Sequence, residues 1–253
     1  MADLLQEQQE HTLILTLNRI DKQNAFDDRL LKALKHELDQ ASTNQTIRVI
    51  LLRANGKHFS AGADLAWMQR MVNYNEADNI ADALILAQVM YSLHTCSKPT
   101  IAVVQGAAMG GGAGLVAACD IAIAAETTRF CFSEVKLGLI PAVISPYVVK
   151  AIGERAAKWL FMSAETFDAS LAKKLGLVHH CVAEKDLLSF ALDYAQQLYA
   201  CKPEAVSESK HLVDLVAGKP INAQLLLETA TLIAKKRVSM EGQAGLRAFL
   251  EKK

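Results

Sequence analysis

Three short stretches of the chain hold groups suited to proton transfer or to stabilising an anion. Glu134 sits among apolar neighbours in Phe132-Ser133-Glu134-Val135-Lys136-Leu137-Gly138-Leu139-Ile140-Pro141. Most glutamates are solvated surface groups, but burial here would raise the pKa and make a proton donor or acceptor of the side chain. Met109-Gly110-Gly111-Gly112-Ala113-Gly114 sets three consecutive glycines before small apolar residues. Glycine reaches dihedrals closed to other residues and lets the backbone sit against a ligand. At the start of a helix its N–H groups favour an anion, or an oxygen that becomes anionic during a reaction. The competing reading is a packing motif that brings a helix close to a sheet. The third stretch, His58-Phe59-Ser60-Ala61-Gly62-Ala63-Asp64-Leu65, has the same form of strand, small-residue loop and helix start. A pair of such loops can aim two backbone N–H groups at one point.

Two further patterns are weaker. Gly112-Ala113-Gly114-Leu115-Val116-Ala117 fits the dinucleotide fingerprint G-x-G-x-x-G/A after a strand, but Ile121-Ala122-Ile123-Ala124-Ala125 follows too soon for a full crossover helix. His179-His180 invites a metal reading, yet adjacent strand residues point to opposite faces and no Cys or carboxylate stands at ligand spacing. No metal is expected.

Thr12 to Asn18 alternates and reads as a strand, and 19–26 as a polar loop. Asp27 or Asp28 can cap a helix carrying Leu30, Leu31, Leu34, Leu38 and Ala41. Ile47 to Arg53 is a second strand, and Glu76 to His94 a long amphipathic helix. Pro99 to Val104 is a buried strand, and Asp120 to Ala125 and Arg129 to Phe132 are short ones. Helical patterns cover Ser145 to Gly153, Glu154 to Met162, Asp168 to Leu175 and Lys185 to Cys201, with a strand at Gly176 to Val182. From Pro203 onward the pattern is entirely helical: Pro203 to Val216, Ile221 to Lys236 and Ser239 to Lys252.

Length and charge exclude several classes of function. The 253 residues suffice for a sizeable core, and 27 basic residues balance 27 acidic ones, so no overall field draws in nucleic acid or a membrane surface. The five cysteines are scattered without a C-x-x-C pair and read as small apolar residues in a reducing compartment. No apolar segment approaches membrane length, and the acidic start Met1 to Glu7 lacks an export pattern. A cytoplasmic location is expected.

Taken together and in this order, His58 to Leu65, Gly106 to Asp120 and Phe132 to Pro141 resemble the enoyl-CoA hydratase/isomerase (crotonase) superfamily. The resemblance reaches Glu241-Gly242 and Ala248-Phe249-Leu250-Glu251-Lys252. It implies an α/β fold: a ββα spiral core over residues 1–200 and a C-terminal helical oligomerisation module over 201–253, assembling trimers that often pair into hexamers. It further implies an oxyanion hole made by the N–H groups of Ala63 and Gly111, and Glu134 as the carboxylate beside the thioester's α-carbon. Ala61, Asp64 and Leu65 would line the coenzyme A channel, with Phe249 and Lys252 reaching it from the tail. Gly110, Gly114, Ser133 and Ala142 would also meet the substrate. No cofactor is implied beyond the coenzyme A of the substrate.

Two positions depart from the family. Gly114 stands where hydratases carry a first glutamate that orients water, and Pro141-Ala142-Val143-Ile144-Ser145-Pro146-Tyr147 replaces a glycine-rich run. Both departures resemble the bacterial methylglutaconyl-CoA hydratase-like branch, and the space at Gly114 is expected to admit a branched or carboxylated acyl chain. Reversible hydration of a 2-enoyl-CoA is the leading expectation. A Δ3,Δ2-enoyl-CoA isomerase with Glu134 as sole base is the alternative. A catalytically inactive acyl-CoA-binding or RNA-binding protein and a nicotinamide oxidoreductase stand further off; the chain has no net charge and no aromatic platform for RNA.

Overall fold

The computed structural model describes residues 2–251. The chain divides into two compact units, Met1–Ala195 and Gln196–Lys253. The first begins with an antiparallel hairpin of β1 (Leu4–Gln9) and β2 (Thr12–Leu17), turning through Glu10 at φ 51°. The sequence reading places no strand over 4–9. An edge strand pairs on one side only, so its solvated glutamines break the apolar pattern that marks buried β2. Asp27 caps α1 (Asp28–Thr43) by accepting from the amides of Arg29 and Leu30, and the expected leucines and Ala41 are buried.

Beyond α1 the chain winds as a spiral. Each turn supplies a strand to one sheet, a shorter extended piece to a second, and then a helix. β3 (Val49–Ala54) leads through the 55–64 loop to α2 (Leu65–Met71) and α3 (Glu76–Thr95). Burial in α3 is confined to Val89, Met90 and Leu93 of its C-terminal half, while Ile80 and Leu84 are exposed. β4 (Thr100–Val104) is followed by β5 (Ala107–Met109) and α4 (Gly111–Ala118), and β6 (Ile121–Ala125) by β7 (Arg129–Cys131). A 3-10 turn, Glu134–Leu137, then precedes α5 (Ser145–Ser163), which breaks at Gly153 (φ 76°), where the sequence pattern also separates two helices. β8 (Phe167–Asp168), α6 (Ala169–Leu175), β9 (His180–Val182) and α7 (Leu187–Leu198) complete the run, and the division between the units falls within α7.

The first sheet has the order β1-β2-β3-β4-β6-β9, parallel from β2 onward, and the second the order β5-β7-β8. Ser60 bridges to Ala108 and so extends the second sheet toward the 55–64 loop. Parallel central strands are covered on both faces, which is why β4 is buried at every position. The run from Gly112 to Ala117 lies inside α4 and not in the loop before it, so it forms no phosphate-binding turn. The strand expected from Gly176 shortens to β9, because Gly176 (φ 95°) closes α6 as a left-handed cap. His179 accepts from the amide of Ala122 through Nδ1, whereas His180 packs on Phe190 and Tyr194. No group of three metal-ligating side chains occurs among the described residues. Nor is any described helix long and apolar enough to cross a membrane.

The second unit holds α8 (Pro203–Val216), α9 (Ala223–Val238) and α10 (Met240–Leu250). Lys236 of α9 joins them, with Nζ 3.0 Å from carboxylate oxygens of Glu204 and Glu208 and 3.3 Å from Glu241. Glu241 in turn accepts from the amides of Glu204 and Ala205, capping α8 from another helix.

Candidate active site

Hydrogen bonds hold the 55–64 loop on both flanks. Phe59 and Ser60 donate their amides to the carbonyls of Gln105 and Ala107, and Ser60 accepts from the amide of Met109. On the other flank, Asn24 donates to the carbonyls of Asn55 and His58, and Ser60 Oγ donates to the carbonyl of Asn24. Phe26 donates its amide to Gly62 and accepts from Asp64, so Phe26 and Ala63 form a parallel bridge. In that geometry the flanking peptides make the bonds, and the N–H of Ala63 itself points away from Phe26. It has no acceptor among the described residues.

The glycine cluster meets this loop from the other side. Gly110 adopts φ 50°, ψ −121° and opens α4 without a side-chain cap, so the first amides of the helix lack intrahelical partners. The first intrahelical bond runs from Gly114 to the carbonyl of Gly110. A Cβ on Gly111 would lie 2.6 Å from Cζ of Phe26, and one on Gly112 2.8 Å from Cβ of Ser60. Glycine is required by this close approach. Phe26 thus touches both stretches, bridging Ala63 through its backbone and meeting Gly111 with its ring.

Glu134 begins the 3-10 turn, which Gly138 closes at φ 72°. A Cβ on Gly110 would lie 3.2 Å from its Oε1 and 3.6 Å from Oγ of Ser133. Its Oε2 is buried without a hydrogen-bond partner, a condition shared among the described residues only by His58 Nδ1. Burial pushes the Glu134 carboxyl above its ordinary value and outweighs the bond to its own backbone. An unpartnered carboxyl oxygen is costly to bury, and such sites are where proton-transfer groups occur.

The structure thus sets Ser133 and Glu134 against Gly110, and Phe26 against both Ala63 and Gly111. Ala61 is exposed on the same loop as Ala63, Leu65 is exposed at the start of α2, and Ala142 is exposed ahead of α5. Two expectations are corrected. Asp64 is 4% exposed and does not line a channel with its side chain. Its carboxylate caps α2 through the amides of Ala66 and Trp67 and takes ion pairs from Arg19 at 3.0 Å and Lys22 at 2.7 Å. Burial alone would raise its pKa, but the bond from Lys22 and the two amides hold it below the ordinary value. Gly114, likewise, leaves no room for an acyl chain: a Cβ there would lie 2.2 Å from Cγ2 of Ile144 and 3.1 Å from Cε of Met90. Phe249 stands on α10 of the second unit, and Lys252 lies outside the described residues.

Sequence reasoning missed Arg19, Asn24 and Phe26, which build the loop's outer flank, and Ile144 and Met90, which fill the position of a side chain at Gly114.

The sequence model described as Enoyl-CoA hydratase/isomerase matches residues 7–253. The 2,3-dehydroadipyl-CoA hydratase of Escherichia coli is 32% identical over 100% of this chain and 97% of its own. An enoyl-CoA hydratase structure from Shewanella pealeana is 43% identical, covers 100% of this chain and 94% of its own, and superposes with a TM-score of 0.96. A structure from Legionella pneumophila is 61% identical over 100% of this chain and 98% of its own, with a TM-score of 0.95.

Proposed function

Because the chain belongs to the enoyl-CoA hydratase/isomerase family, we propose that it reversibly hydrates a 2-enoyl-CoA with Glu134 as its sole acid–base side chain. The observation that carries this reading is the buried, unpartnered Oε2 of Glu134 beside the uncapped start of α4. In this mechanism the amides of Ala63 and Gly111 bind the thioester oxygen as it gains enolate charge. Preorganised donors need no reorganisation at that moment, and losing one typically costs about 2.7–4 kcal/mol of barrier.

The Glu134 carboxyl gives its proton to C2, the oxygen of water bonds to C3, and the remaining water proton returns to the carboxylate. The C2=C3 π bond breaks, and Glu134 leaves the cycle as it entered. The acid form is needed, so the rate falls as pH rises through the pKa of Glu134, which burial places above the ordinary carboxylate value. Ala61 and Leu65 are assigned to coenzyme A, and no cofactor takes part. A branched or carboxylated acyl group is supported by the resemblance to the methylglutaconyl-CoA branch and by similarity to a relative named for 2,3-dehydroadipyl-CoA. A homotrimer or hexamer is supported by the exposed apolar side chains Leu137, Leu139 and Ile140, which a single copy leaves in water.

The test is loss of the conjugated enoyl-thioester absorbance on mixing the protein with crotonyl-CoA and with methylglutaconyl-CoA. Loss with either supports hydration, and loss with neither removes it. One observation favours a second reading: the apolar filling at Gly114 leaves no second carboxylate beside Glu134. A proton shift between two carbons needs one base, so conversion of a 3-enoyl-CoA without water uptake would assign the protein as an isomerase.

A further inference from the structure

Glu134 faces Gly110 at the first turn of α4, and one turn further on Gly114 faces only hydrocarbon. Cγ2 and Cβ of Ile144 lie 2.2 and 2.7 Å from where a Cβ on Gly114 would stand, and Cε of Met90 lies 3.1 Å away. Ile144 is 2% exposed and Met90 is fully buried, so this filling is dense and dry. Leu86, one helical turn before Met90, lies 3.4 Å from the corresponding position on Gly111. Leu86 and Met90 thus back onto α4 from the first turn to the second, and Ile144 closes the second turn from the opposite strand of chain.

We propose that Ile144 is a specificity-determining residue: its side chain, seated on Gly114, is the stop that sets how deep an acyl chain can reach below Glu134. The inference rests on the reading of Glu134 and the α4 start as the acyl-thioester site. Its physical basis is that close-packed interiors accept added carbon only where carbon has been removed. Ile144→Ala deletes Cγ2, the atom nearest Gly114, together with the rest of the side chain beyond Cβ, and so opens that depth, while Ile144→Val removes only Cδ1 and retains Cγ2.

The experiment compares kcat/KM for straight-chain four-carbon and eight-carbon 2-enoyl-CoAs in the wild type and both variants. Ile144→Ala is expected to raise the eight-to-four ratio about tenfold, the order of discrimination that a hydrophobic pocket gives per small change in length. Ile144→Val should raise it in the same direction and by less, which keeps the test open if the alanine variant fails to fold. A ratio unchanged in the folded variants overturns the proposal. If the wild type turns over neither substrate, the catalytic reading fails by itself, and the ratio is read instead from calorimetric binding of octanoyl-CoA and butyryl-CoA. A thermal cycle adds a readout independent of activity. Gly114→Ala should lower Tm by roughly 3–10 °C through overpacking, and adding Ile144→Ala should recover part of that loss. No loss from Gly114→Ala, or strictly additive losses, would contradict the pairing.

Discussion

Gly110 and Gly114 stand one helical turn apart on α4 and have opposite surroundings. At Gly110 the nearest foreign atom is a carboxylate oxygen of Glu134, and the backbone is held at a positive φ. At Gly114 the nearest atoms are methyl and methine carbons of Ile144. Both positions exclude a side chain, but for different reasons. At the first, glycine leaves room for the Glu134 carboxyl; at the second, it makes room for packing by Ile144. A run of glycines in sequence is therefore not one feature, and its two halves should fail in different ways when a side chain is added.

The largest expected effect is at the first turn. Gly110→Ala should lower kcat by about 10²–10³, the range for losing one preorganised donor, since the new methyl presses on Glu134 and on the helix start. Steady-state kinetics on any accepted enoyl-CoA checks this; a kcat within threefold of wild type would dissolve the contrast with Gly114. The next effect comes from the loop that presents Ala63. Arg19 is 4% exposed in its side chain and faces Asp64 at 3.0 Å and Asp27 at 3.3 Å. Asp64→Asn removes one charge of this buried set and should cost about 1–3 kcal/mol in urea unfolding, together with a fall in kcat as the Ala63 amide loosens. An unchanged midpoint would show that the loop is held by its other hydrogen bonds without this charge.

The smallest effect concerns burial of Glu134. Its folded pKa is raised, so the folded state binds this proton more tightly than the unfolded chain. The associated stability is fully present below the unfolded pKa and is lost as pH rises through the folded pKa. Glu134→Gln, which cannot ionise, should therefore raise Tm by up to a few degrees at pH 8 and hardly at all at pH 4. Equal shifts at both pH values would mean that the carboxyl is not desolvated.

Much of this architecture was legible in the chain because local rules and packing agree along most of it. Leucine spacing and Asp27 mark α1, and the β-branched run before the glycines marks β4. The two small-residue loops were legible as strand, loop and helix start, and the glycine cluster does open α4. Side-chain surroundings were not. Asp64 reads as a polar loop residue, and only the fold brings Arg19 and Lys22 to it from more than forty positions away in sequence. The vacancy expected at Gly114 turned out to be filled by Ile144, thirty positions on, which no local pattern announces. Strand β1 was missed because an edge strand is paired on one side and mostly wet, so its residues need not alternate.

The contrast between the two turns comes down to a claim about one group, that Glu134 moves the proton at the carbon beside the thioester. Exchange of the α-protons of butyryl-CoA with deuterated water reads that step alone, with no dependence on whether the full reaction is hydration or isomerisation. Wild-type protein should incorporate deuterium, and Glu134→Gln should lose at least about 10²-fold of that rate while binding butyryl-CoA with similar affinity. Exchange at the wild-type rate in Glu134→Gln would contradict the account.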